Sequence, residues 1–150
     1  RSLFEKLCDQ SNLEAGFKAV RKNGGAPGID GVTIKEFESR LEEELVQLQL
    51  EIASWHYKPS PVRRVEIPKP GKGAGVRLLG VPCIRDRVVQ ATIKQLLEPI
   101  LDLTFSDHSY GFRPGCNQRQ AVESAQRFVQ SGKEYVVDID LSKFFDRVNH

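Results

Sequence analysis

Two aspartates near the end of the 150-residue chain are the residues best suited to chemistry. Asp138 and Asp140 lie in the run EYVVDIDLSKFFDRVNH, where the surrounding β-forming residues predict a short, largely buried strand. A strand alternates its faces, so both carboxylates project to one side, about 6.6 Å apart along the backbone. Buried carboxylates need a compensating charge, which a divalent metal would supply. The alternative is an edge strand with two solvent-facing aspartates, and the strand alone does not decide between the two.

The positive charge of the chain is concentrated in one segment. The net charge is only +2, from 22 basic and 20 acidic residues. Residues 55–90 nevertheless hold eight basic residues against Glu66 and Asp86. A basic segment of this density favours an anionic partner such as nucleic acid or nucleotide. The bases are Lys58, Arg63, Arg64, Lys69, Lys72, Arg77, Arg85 and Arg87.

Part of this segment predicts a β-hairpin. Residues 62–67 alternate, with Val65 and Ile67 on one face, and a turn-rich loop separates them from a second β segment over 76–81. Lys69 and Lys72 then lie at the tip of the hairpin and Arg77 on its return strand. Such a hairpin suits binding of a triphosphate or a nucleic-acid backbone, because arginine and lysine both contact phosphate oxygens. The alternative is an exposed hairpin whose charges only aid solubility.

Helices are predicted elsewhere from apolar residues at helical spacing and from capping residues. Arg85 and Arg87 fall in the first turn of one of them, where cations oppose the helix macrodipole, which favours a bound anion. The glycine-rich loop 24–31 matches neither a P-loop nor a dinucleotide motif. The predicted helices are one or two over 1–23 with Asn12 as an N-cap, one from Thr33 to about Ser54, one over 84–101, and one from Asn117 to Gly132.

Composition excludes several other classes of protein. No apolar run approaches the roughly 18 residues of a membrane span, so no membrane partner is expected. Cys8, Cys83 and Cys116 are odd in number and widely spaced, which argues against a disulfide framework or a zinc site and favours reduced thiols in a cytoplasmic protein. The three histidines are scattered as well.

Five blocks of the sequence, in this order, resemble the reverse transcriptases encoded by bacterial group II introns, which also act as maturases. The blocks are Gly25–Gly31; Arg63–Pro70 with Arg77 and Gly80–Pro82; Asp86 and Arg87 with Gln90; Ser109–Gly115; and Asp140 with Phe144–Asp146 and His150.

The resemblance implies an α+β fold, the fingers subdomain of a right-hand polymerase, mostly helical with a basic β-hairpin. Residues 1–132 would form the N-terminal extension and fingers, and residues 133–150 the first palm strand and turn. The chain stops before the family's Tyr-x-Asp-Asp block. We therefore expect it to be a truncated piece of a polymerase that binds RNA but does not polymerise alone.

The resemblance also assigns roles to individual residues. Asp140 matches the first catalytic aspartate of the palm, a ligand of Mg²⁺ in the full-length enzyme, with Ile139 and Leu141 at the backbone positions beside the metal. The incoming nucleotide would meet Lys69, Arg77, Phe145 and Arg113. Five further basic residues of the segment are expected to contact RNA: Arg63, Arg64, Lys72, Arg85 and Arg87.

The function implied is that of an RNA-directed DNA polymerase that also assists intron splicing and mobility. Its partners would be group II intron RNA, an RNA template, a DNA primer and dNTP, and an exposed palm strand makes a homodimer plausible. Three alternatives stay open. They are a non-enzymatic RNA-binding splicing factor with a degenerate polymerase fold, a retron or CRISPR-associated reverse transcriptase, and a basic globular domain with no nucleic-acid role.

Overall fold

The computed structural model describes residues 1–71, 75–142, 144 and 147. They are mostly helical with a single hairpin, so the predicted α+β class is confirmed. The chain divides into two compact units, residues 1–103 and 104–150. The elements are α1 (Leu3–Leu7), α2 (Gln10–Asn23), α3 (Ile34–Ser39), α4 (Leu41–Ala53), β1 (Arg63–Pro68), β2 (Val76–Val81), α5 (Ile84–Leu101), a 3₁₀ turn (Asp102–Thr104) and α6 (Gln118–Gln130).

The first unit is built around the packing of α2 on α5, its main helix–helix interface. Gly16 lies where the two helices approach closely: a Cβ built there would be 2.8 Å from the carbonyl oxygen of Val88. Helices α3 and α4 complete the core, with the ring of Phe37 stacked on that of Phe17 at 5.6 Å between centroids. The buried cluster is Leu13, Phe17, Val20, Phe37, Leu45, Leu48, Ile52, Ile84, Val88 and Val89.

The helix boundaries largely follow the predicted caps. Thr33 and Asn117 each form a capping box, and Gly24 ends α2 with a positive φ of 66°. Asn12 is not an N-cap, because Asp9 caps α2 by accepting from the Ser11 N–H. The continuous helix predicted from Thr33 to about Ser54 is also wrong.

That helix is interrupted at Arg40, whose φ of −123° separates α3 from α4. The sequence has no glycine or proline there. The break lets α3 pack against α5 while α4 packs against α2, so tertiary packing overrides the continuous helical pattern.

The hairpin is present as predicted, with β1 and β2 antiparallel. Its two strands pack chiefly on each other and hardly on the helices. Several apolar side chains of β2 consequently stay half exposed, among them Val76, Leu78 and Leu79.

The second unit carries α6 and an extended segment. The largely buried strand predicted around Asp138 is not formed: residues 133–141 have no strand assignment, and Tyr135, Val136 and Ile139 are more than 80% exposed. A strand is stabilised by hydrogen bonds to a neighbouring strand, and none of the described residues pairs with this segment. Within the described residues, no helix combines the length and apolarity needed to cross a bilayer.

Candidate nucleic-acid interface

The register of the hairpin sorts its cations by face. Ile67 lies opposite Arg77, and Arg64 lies opposite Gly80. Because side chains alternate along a strand, Arg77 shares a face with Val65 and Ile67, whereas Arg64 lies on the other face. The Lys69 N–H donates to the Gly75 carbonyl at 3.0 Å, so pairing continues one position beyond β1 and sets Lys69 opposite Gly75, on the same face as Arg77 and diagonal to it. The two residues predicted to hold a triphosphate are thus brought together.

The basic residues of the hairpin differ from several of those elsewhere in the chain in whether they form ion pairs. Lys18 and Lys94 on helices, and Arg40 at the break between α3 and α4, each form an ion pair with a glutamate four residues away. Within the described residues, the side chains of the basic residues on or near the hairpin form no ion pair. Their charge is therefore available to an external anion. These residues are Lys58, Arg63, Arg64, Lys69 and Arg77; all but Arg63, which is half-buried, are exposed.

Arg85 and Arg87, by contrast, bind inside the molecule. Arg85 Nη2 lies 2.6 Å from Glu51 Oε2, and both side chains are about three-quarters buried. Arg87 Nε donates to the Pro82 carbonyl at 3.1 Å, and its Nη2 donates to the Ala26 carbonyl. The anion predicted beside these helix-start cations is, for Arg85, the carboxylate of Glu51. An RNA contact by either residue stays a prediction.

A buried carboxylate lies between them, at a residue that the sequence indicated only as an acid of the basic segment and as part of one resembling block. Asp86 is 1% exposed; its Oδ1 accepts from the Tyr57 hydroxyl at 2.7 Å, and its Oδ2 accepts from the Ser60 N–H at 3.1 Å. Burial raises the pKa of Tyr57 above its ordinary range, and the hydrogen bond to Asp86 is the second largest cause of the increase. The available signal was a rare acid within a basic segment, at a helix start where the macrodipole favours negative charge.

In the second unit, Arg113 is also held by its own loop. Its Nη1 donates to the carbonyls of Ser106 and Ser109 at 2.7 and 2.9 Å, and its guanidinium lies 5.4 Å from the centre of the Phe105 ring. These contacts fold the loop before α6. The predicted nucleotide contact of Arg113 stays a prediction.

Asp140 lies on the exposed extended segment of the second unit, with Ile139 and Leu141 exposed on either side. No group of three or more histidine, cysteine or carboxylate side chains that could hold a metal occurs among the described residues. Lys72 and Phe145, predicted to contact RNA and nucleotide, lie outside the described residues, as do Asp146 and His150.

Comparison with known proteins decides the family. The model of the family described as reverse transcriptase (RNA-dependent DNA polymerase) matches residues 67–150, more than half of the chain, from the end of β1 onward. The chain belongs to the reverse transcriptase family.

Individual relatives confirm the resemblance to group II intron reverse transcriptases. The group II intron-encoded protein LtrA of Lactococcus lactis subsp. cremoris is 31% identical over 148 residues, which cover 99% of this chain and 24% of LtrA. Protein YkfC of Escherichia coli K12 is 39% identical over 133 residues, 86% of this chain and 34% of YkfC. The putative COX1/OXI3 intron 1 protein of Saccharomyces cerevisiae is 33% identical, over 98% of this chain and 19% of its own length. The chain thus spans about a third or less of these relatives.

Proposed function

We propose that this chain forms the fingers of an RNA-directed DNA polymerase of the group II intron type, with residues 1–132 as N-terminal extension and fingers and residues 133–150 as the start of the palm. In this proposal it binds RNA and the incoming nucleotide through the β1–β2 hairpin. The observation that carries the proposal is that the hairpin cations among the described residues form no ion pair, on a chain whose net charge is only +2. The family match over residues 67–150, which includes most of the hairpin, supports it.

The nucleotide-binding part of the proposal concerns Lys69 and Arg77. Both are exposed, and the strand register places them on one face near the tip of the hairpin. An arginine fork contacts two phosphate oxygens at once, while a lysine ammonium acts as a mobile point charge. The pair therefore suits the triphosphate of a dNTP, and Arg64 on the opposite face suits a nucleic-acid backbone.

The metal-binding part of the proposal concerns Asp140. Its exposed carboxylate is a hard oxygen donor, and Mg²⁺ is commonly held by one or two carboxylates while waters and substrate phosphates complete its shell. Asp140 would hold the ion together with the backbone beside it at Ile139 and Leu141. A bound Mg²⁺ neutralises phosphate charge and aligns the attacking hydroxyl during phosphoryl transfer.

The proposed partners follow from the names of the relatives. LtrA is a group II intron-encoded protein, and a further relative is a nuclear intron maturase of Arabidopsis thaliana. We propose that this chain also acts on intron RNA, in splicing and mobility, within a polymerase that copies an RNA template from a DNA primer.

Fluorescence anisotropy with a structured group II intron RNA, titrated over salt, tests the hairpin. The double variant Lys69→Ala/Arg77→Ala should bind at least roughly tenfold more weakly. The magnitude of its slope of log affinity against log salt should fall by about one to two units, because each phosphate that is no longer contacted keeps its counterions. The matched control is Lys18→Ala/Arg40→Ala, which removes one lysine and one arginine that form ion pairs outside the hairpin. Equal binding by wild type and both variants would refute the proposal.

A further inference from the structure

Asp86 connects the first turn of α5 to the segment that enters the hairpin. Its two carboxylate oxygens accept from the Tyr57 hydroxyl and the Ser60 N–H. Both partners lie in the linker between the end of α4 at Ala53 and the start of β1 at Arg63. A buried carboxylate is tolerated only when hydrogen bonds or charges replace its lost water, so these two bonds constrain where the linker lies.

The next residue, Arg87, holds the segment that leaves the hairpin. Its Nε donates to the carbonyl of Pro82, directly after β2 ends at Val81. Its Nη2 also reaches the Ala26 carbonyl in the glycine-rich loop. Two consecutive side chains of one helical turn therefore hold the entry and the exit of the hairpin.

The hairpin depends on these two attachments because it has few others. Its strands hardly touch the helices, and the side chains of Leu78 and Leu79 are 58% and 45% exposed. Packing therefore does not fix the direction in which Lys69 and Arg77 point. What fixes it is the position of the two hairpin ends relative to α5.

We propose that Asp86 is a positioning residue of the hairpin, holding it in the orientation in which Lys69 and Arg77 meet an anionic ligand. The inference rests on the proposed function of the hairpin. In this inference Asp86 strengthens the binding of an anionic ligand by holding the hairpin in place, whereas its negative charge alone would weaken that binding. Removing a negative charge near a phosphate-binding surface should strengthen binding, so a loss of affinity on removing Asp86 would identify positioning rather than electrostatics.

The test combines RNA anisotropy with hydrogen exchange, at a temperature where circular dichroism shows the helices folded. We expect Asp86→Ala to lose affinity to about the level of Lys69→Ala/Arg77→Ala, and its hairpin amides to exchange at least tenfold faster while those of α2 and α5 do not. Asp86→Asn should retain most of the affinity, because its carboxamide can accept from the Ser60 N–H and donate to the Tyr57 oxygen. Glu42→Ala, which removes an exposed acid of α4, is the control for charge and should bind at least as well as wild type.

Each remaining outcome has a defined meaning. Uniformly faster exchange in hairpin and helices, or unchanged affinity of folded Asp86→Ala, overturns the inference. If Asp86→Ala does not fold, Tyr57→Phe removes one of the two bonds and should show the same selective exchange and a smaller loss of affinity; wild-type behaviour there overturns the inference as well. If Lys69→Ala/Arg77→Ala binds RNA like wild type, the proposed function of the hairpin is wrong. If that variant loses affinity and folded Asp86→Ala does not, only the positioning role of Asp86 is wrong.

Discussion

Tyr57 makes the buried junction at the start of α5 observable by titration. Its hydroxyl donates to Asp86, and burial followed by that bond raises its pKa above the ordinary value of about 10. A pKa that is higher in the folded than in the unfolded state stabilises the fold fully below the unfolded pKa. That contribution is lost as pH rises from about 10 through the folded pKa, because only the unfolded chain then releases its proton.

We expect Tyr57→Phe to lower the free energy of unfolding by about 1.5 to 3 kcal/mol near neutral pH, since a hydrogen bond to a charged group is lost. The deficit relative to wild type should shrink above about pH 10, where wild type loses the tyrosine contribution and the variant has none. Urea denaturation at about pH 8 and about pH 10.5 measures both values. Tyr135→Phe, at a side chain that is 94% exposed, should show no such convergence. A Tyr57→Phe deficit that does not change with pH would contradict the assignment.

The roles of single residues were only partly predictable from the sequence. Composition and alternation correctly indicated the basic hairpin and the faces of Val65 and Ile67. They did not indicate that Arg85 would pair with Glu51, because that contact joins residues 34 positions apart and depends on the tertiary fold that brings the end of α4 near the start of α5. For the same reason the sequence assigned Asp86 no role of its own, although the structure gives it two hydrogen bonds to the hairpin linker.

At the scale of elements, the contact between α2 and α5 depends on a residue with no side chain. Gly16 should favour replacement by alanine on helix propensity alone, by about 1 kcal/mol. A Cβ there would, however, meet the Val88 carbonyl oxygen at 2.8 Å and the hydroxyl of fully buried Thr92. Overpacking of this kind costs about 1 to 3 kcal/mol, so the clash outweighs the propensity gain.

We therefore expect Gly16→Ala to lower the free energy of unfolding by about 1 kcal/mol. Thermal or urea denaturation followed by circular dichroism measures the change. Lys18→Ala in the same helix loses only an exposed ion pair with Glu14 and should stay within about 0.5 kcal/mol of wild type. A Gly16→Ala variant more stable than wild type would show that α2 and α5 can separate without cost.

The helices and strands themselves were easier to predict than the contacts that they make with one another. The caps at Thr33 and Asn117 and the alternation of β1 are local features, and the structure has them as predicted. The interruption at Arg40 depends on the packing of α3 and α4 against different helices, which local pattern does not report. The segment around Asp138 has strand propensity, but strand formation needs a paired neighbour, and propensity alone cannot provide one.

The two units of the molecule differ in how many of their side chains are buried. The hydrophobic cluster of the described residues lies entirely within residues 1–103, whereas in the second unit Ser124 is the one described residue that is buried. Helix α6 has 13 residues, a capping box at Asn117 and a contact between the rings of His108 and Phe128. Isolated helices of this length are marginal in water, because tertiary packing supplies most helical stability in proteins.

We accordingly expect the rates of native-state hydrogen exchange in the free chain to differ between the two units. Amides of α2 and α5 should open only with global unfolding, and those of α6 should exchange at least about a hundredfold faster, because few buried contacts oppose local opening there. Mass spectrometry of peptic peptides from each helix measures this difference. Asn117→Ala, which removes the α6 cap, should accelerate exchange in α6 and leave α2 unchanged. Equal protection of α6 and α2 would contradict this prediction, because it would mean that the second unit is stabilised by more than its own buried contacts.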